Sequence, residues 1–171
     1  MKSIKLFLIY ICLLFPLTGV AQKKQLQTVR DQIKSGKELT KAENTLRGLL
    51  VDSASKKNNK IWLLLCDVLT KQYEQGNEKL YLKQKYDTAA LFTVTRKLYD
   101  VMSRFDSLDA QPDAKGRVRA KYRAKHADFL NSIRPNLFNG GSYFIHKKDY
   151  NTAFDYYSDY LLSANYPLPA L

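Results

Sequence analysis

The chain has 171 residues, 45% of them hydrophobic, with 28 Lys and Arg against 16 Asp and Glu and a formal net charge of +12. A chain of this size can bury one substantial core, because roughly 70% of the unfolded surface disappears at about 150 residues. Two cysteines leave no room for a disulfide framework once the leader is removed, and two histidines offer little material for a metal centre.

Residues 1–21 read as a cleaved secretory signal. Lys2 and Lys5 precede an apolar run from Leu6 to Leu17, and Gly19-Val20-Ala21 supplies the small residues a signal peptidase reads, which puts the cut after Ala21. An uncleaved anchor needs about 20 apolar residues, more than this run contains. Cys12 is followed by Leu13, Leu14 and Phe15, where a lipoprotein would have to begin its polar mature end. Cleavage leaves 26 basic against 16 acidic residues, a net charge of +10. Such an excess ordinarily points to nucleic acid, but export argues against that partner. Lipid phosphates, surface polysaccharides and acidic proteins remain, beside plain solvation of a Lys-rich surface, which is the simpler account.

Beyond the leader nearly every segment carries helical periodicity. Leu26, Val29 and Ile33, then Leu39, Ala42, Leu46, Leu49 and Leu50, predict a helical hairpin over 22–53 broken at Ser35-Gly36. After a polar gap, Ile61, Leu64, Leu65, Val68, Leu69, Tyr73, Leu80 and Tyr81 predict a long helix, with Gly76-Asn77 marking either a bend or a close neighbour. Cys66 lies within it and reads as a small core residue, since a nucleophilic thiol needs a base and an electropositive setting. Ala90, Val94, Leu98, Val101 and Phe105 predict the next helix, completing a unit over about 61–105.

Pro112 and Gly116 among acidic and small residues predict a loop over 106–116. Its Asp106, Asp109 and Asp113 lack the alternating spacing and central Gly of a calcium loop. In the next segment, Arg117, Arg119, Lys121, Arg123 and Lys125 alternate with Val118, Ala120, Tyr122, Ala124 and His126, a strand-like pattern. Yet Val118, Tyr122, Phe129 and Ile133 also line one helical stripe, and no second strand exists to pair with, so a basic helix over 117–134 is expected. His126, beside that stripe, is expected to be half-buried packing. Pro135 then ends this helix and opens the next, in a unit over 135–165.

Offset by 64 residues, the chain matches itself. Gly76 falls on Gly140, Lys83 on Lys147, Tyr86 on Tyr150, Thr88 on Thr152 and Ala89 on Ala153. Leu39 and Ala42 read as a worn third copy. With Gly141 at the family's glycine, Phe144 at its tyrosine, Ala153 at its alanine, Tyr157 at the next aromatic and Pro167 near the closing proline, the chain resembles the tetratricopeptide repeats, 34-residue pairs of antiparallel helices. It departs from them at Leu137, Gly140, Tyr160 and Asn77, and about thirty residues separate the two clear copies. Asn77 to Tyr81 and Arg134 to Gly141 together look like exported tetratricopeptide proteins of Gram-negative bacteria.

The resemblance implies an all-α fold, antiparallel helical hairpins stacked as a right-handed solenoid, with Gly76, Tyr86, Ala89, Gly141, Phe144, Tyr150, Ala153 and Tyr157 packing the repeats. No polar capping helix follows Asn165, as expected of a fragment of a longer array. It further implies a concave binding face on the first helix of each unit, carried by Lys71, Glu74, Glu78 and Tyr81 in one copy and Phe138, Asn139, Ser142, Ile145 and His146 in the other. The clustered Tyr143, Phe144, Tyr150, Phe154, Tyr156, Tyr157, Tyr160 and Tyr166 divide accordingly: Phe144, Tyr150 and Tyr157 should pack, and the others are free to face outward.

The chain contains no phosphate-binding glycine loop, serine elbow, histidine pair at metal spacing or paired carboxylates, so neither enzyme activity nor a cofactor is expected. The expected role is an interaction scaffold of the periplasm or cell envelope with a protein or peptide partner. The alternative is binding of anionic envelope polymers or lipid head groups through 115–125, with a membrane surface as a secondary partner.

Overall fold

The computed structural model describes residues 20–113, 115–118 and 120–166, and these form helices and connections with no strand. The predicted leader up to residue 19, Ala114, Arg119 and the closing Pro167 lie outside the described residues. Helix α1 covers 20–35, followed by α2 Leu39–Val51, α3 Asn59–Tyr81, α4 Thr88–Asp109, α5 Arg123–Ile133, α6 Pro135–His146, α7 Tyr150–Leu162 and a short 3-10 turn Ser163–Asn165. No described helix is long and apolar enough to cross a membrane.

The apolar stripes read from the sequence become the core. Leu26, Val29, Leu46, Ile61, Leu65, Leu69, Leu98, Val101 and Phe105 are buried together, joined by Leu130 and Ile133 of α5. Cys66 is part of this core, and burial pushes its thiol pKa up, away from nucleophilic use. A smaller cluster, Phe92 with Leu137 and Tyr156, joins α4 to the α6–α7 pair. Packing is sequential: α2 lies on α3, α3 on α4, α4 on α6 and α6 on α7, while α5 bridges α4 and α6.

Local chemistry sets the boundaries. Gly36, with φ of 68°, turns the chain after α1. Helices α3 and α6 end in the same hydrogen-bonded turn. The amide of Gln84 donates to the carbonyl of Lys79 at 2.8 Å and that of Asp149 to Phe144 at 3.0 Å, with Lys83 and Lys148 in the left-handed region between them. Asp87 and Asp149 then cap α4 and α7, each side chain accepting from a first-turn amide.

Two expected boundaries move. Helix α4 runs on to Asp109, so Asp106 to Asp109 belong to a helix and the loop begins at Ala110. The basic segment is helical only from Arg123; residues 115–118 and 120–122 form neither helix nor strand. The reason is visible at Asp113, which accepts from the amides of Lys115 and Arg117 and from the Arg117 side chain. Asp109 likewise takes the Lys121 amide at 2.7 Å. These acceptors outcompete helical pairing for the same donors.

Candidate functional site

Helices α3 and α6 position the residues chosen from the sequence. On α3, half-buried Lys71 sits 3.4 Å from Glu74, and Glu78 and Tyr81 are exposed, Tyr81 by 84%. On α6, Phe138 is 49% and Ile145 43% exposed, and Asn139 and His146 face solvent. Ser142 is half-buried and shares a hydrogen bond of 3.0 Å with the Tyr157 hydroxyl. The two helices are tied by Asn136, whose amide donates to the Tyr73 hydroxyl at 2.8 Å. The candidates are not gathered into one cavity. Only Glu78 lines one of the grooves described, a shallow one bounded by Gly36, Gln75 and Leu82.

Two larger grooves lie among the second helices, where sequence reasoning placed nothing. One, of about 630 Å³, runs over α3 between α2 and α4. The other, of about 820 Å³, lies between α4 and α7. Lys97 borders both, beside Glu43. Glu43 is 3% exposed and accepts from Lys97 at 2.9 Å, Arg47 at 2.8 Å and Gln72 at 3.1 Å. Burial alone would raise its pKa, but the three donors outweigh that and hold the carboxyl below its ordinary value. Glu43 thus joins α2, α3 and α4 as a structural group. Its only sequence signal is polar: an acid beside Ala42 on the buried stripe, with Arg four residues on.

A second buried group was also missed. Asp106, expected in a loop, is 5% exposed and faces His126, whose Nδ1 is 2.6 Å away, and it accepts from the Tyr166 hydroxyl. His126 is accordingly fully buried, stacked near Tyr122 and Phe105, and no longer a half-buried packing residue. Among the described residues every buried side-chain nitrogen and oxygen has a partner, and no group of three metal-ligating side chains converges.

The repeat residues separate into those that pack and those that do not. A Cβ on Gly76 would lie 2.6 Å from the Tyr86 ring system, on Gly140 2.6 Å from Tyr156, and on Gly141 2.6 Å from Tyr157. Phe144 stacks on Tyr156 at 5.3 Å, and Ala153 is 1% exposed. Tyr150 is the correction: it is 63% exposed, so it does not repeat the packing of Tyr86. Ala89 is only half-buried and borders the groove between α2 and α4. Tyr156, left free to face outward by the sequence reading, is buried at 2% exposure.

The basic segment is less available than its sequence suggests. Arg117 is held 2.9 Å from Asp113, and Lys121 lies over the Tyr122 ring. Comparison of the chain with family models, curated proteins and solved structures finds no match.

Proposed function

We propose that the chain is an exported protein-interaction scaffold of tetratricopeptide type in the cell envelope of a Gram-negative bacterium. Its partner would be a protein or peptide bound on the face presented by the first helices α3 and α6. One observation carries this reading: Tyr81, Phe138 and Ile145, three large apolar residues of the predicted face, are spent on solvent and not on the core. Apolar side chains held outward on rigid helices are what a protein partner desolvates on binding. Supporting it, Gly141 and Tyr157, the residues matched to the family's glycine and aromatic, touch each other, and helical hairpins follow one another in sequential contact.

The test is capture from envelope extracts at low and physiological salt. The wild-type chain should retain a protein partner with weak salt dependence, and Phe138→Ala with Ile145→Ser should lose it. Tight binding to anionic vesicles or lipopolysaccharide that collapses with salt, and that vanishes when Arg117, Lys121 and Arg123 become Gln, would replace this reading with the polyanion one.

A further inference from the structure

We propose that two copies of this chain pair about a twofold axis through the outer stripe of α7. Tyr150, Phe154 and Leu161, spaced four and seven apart, share one side of that helix and are 63%, 72% and 69% exposed. Tyr157 borders the stripe, its ring 5.4 Å from half-exposed Phe138 of α6. The opposite side of α7 is already used: Tyr156 is buried against Phe92, and Asp159 reaches Arg96 at 2.5 Å.

Charge selects a second copy as the occupant. A chain of net charge +12 repels itself over most of its surface, yet α6 and α7 contain no Lys or Arg, and α7 turns Asp159 inward to Arg96. The stripe is therefore the place where two copies approach without like-charge repulsion. No other helix among the described residues exposes three large apolar side chains, so self-pairing must bring the stripe onto itself, an isologous contact. Antiparallel crossing sets Tyr150 against the partner copy's Leu161 and Phe154 against its Tyr157. It also brings Lys147 and Lys148, next to the start of α7, toward the carbonyl end of the other α7, which has no basic residue in its own last turn.

Size agrees with a weak dimer. The three exposed side chains offer about 400 Å² per copy at usual aromatic dimensions. With the polar residues between them, two copies reach about 1,000 Å², the lower edge of specific interfaces. This inference does not depend on the partner proposed above, because that partner would use α3 and α6.

Sedimentation velocity from low-micromolar to several hundred micromolar protein tests it. A concentration-dependent dimer is expected for the wild type, and a monomer throughout for Phe154→Glu with Leu161→Glu, whose helicity is checked by circular dichroism. Phe154→Cys, which adds no charge, should form a disulfide-linked dimer on mild oxidation, whereas Arg104→Cys on α4 should not. A wild type monomeric at every concentration overturns the proposal. So does a dimer that survives the double variant without Phe154→Cys trapping. Protection of the stripe only when other envelope proteins are added would assign the face to a foreign helix and equally overturn it.

Discussion

The hairpins α3–α4 and α6–α7 close with the same left-handed Lys and cap their second helices with the same Asp, yet they fill the space between their helices from different parts of the chain. In α3–α4 the ring against the helix glycine is Tyr86, from the connection. In α6–α7 the rings against Gly140 and Gly141 are Tyr156 and Tyr157, from the second helix itself. The connections explain the change. Residues 82–87 join the first pair and only 147–149 the second, so Lys83 corresponds to Lys148, 65 positions on, while Asp87 corresponds to Asp149, 62 positions on. What repeats is the demand for an aromatic ring over a helix position without a Cβ. The sequence position that meets it does not repeat.

Leu137→Ala should separate the hairpins most sharply. Leu137 has no exposed surface and holds the small cluster with Phe92 and Tyr156, so a loss of about 2 to 5 kcal/mol is expected in urea unfolding. An unchanged midpoint would mean that α6–α7 is not held by this cluster. Next, the same glycine substitution should give unequal results. Gly140→Ala drives a methyl into the buried Tyr156 ring, and overpacking should cost about 1 to 3 kcal/mol. Gly76→Ala meets half-buried Tyr86, which sits in a connection and can swing away, so the gain of about 1 kcal/mol in helix propensity should offset most of its cost. Equal losses for both would break the comparison.

The alanines extend it. Ala153→Leu should destabilise by about 1 to 3 kcal/mol because Ala153 is buried, and Ala89→Leu should change little because Ala89 borders an open groove. A common effect would restore the 64-residue register for the second helices. The smallest effect belongs to Glu43. Its folded pKa lies below the ordinary value, so its stabilisation is present above about pH 4.3 and is lost as pH falls through the lower folded value. Glu43→Gln should therefore cost about 1 kcal/mol at neutral pH, with wild type and variant converging in acid unfolding. A gap that persists at low pH would assign the loss to packing and not to charge.

The helices were legible because their apolar stripes hold period over many turns: Ile61, Leu65, Leu69 and Leu98, Val101, Phe105 all lie where periodicity put them. The 64-residue match detected two related hairpins but averaged two registers, which is why Tyr150 was equated with Tyr86 and Ala89 with Ala153. Loop insertions leave no mark in a periodicity that runs through both helices. Asp106 was illegible for another reason. An acid beside Pro112 and Gly116 reads as loop, and only the fold brings His126 and Tyr166 to it. The helical stripe Val118-Tyr122-Phe129 failed at its start, where Asp109 and Asp113 take the amides a helix would need. The predicted binding residues of α3 and α6 are outward as expected in the main, but the deepest grooves lie among α2, α4 and α7, set by side-chain volumes that no single-sequence pattern exposes.

The proposed binding face is tested most directly by photo-crosslinking in whole cells, with a light-reactive residue placed in turn at 81, 138, 100 and 121. Positions 81 and 138 sample the first-helix face, 100 the groove between α4 and α7, and 121 the basic segment. Adducts to a protein other than the chain itself at 81 and 138, and at neither of the others, are the predicted result. Adducts confined to 100, or lipid and polysaccharide adducts at 121, would contradict it.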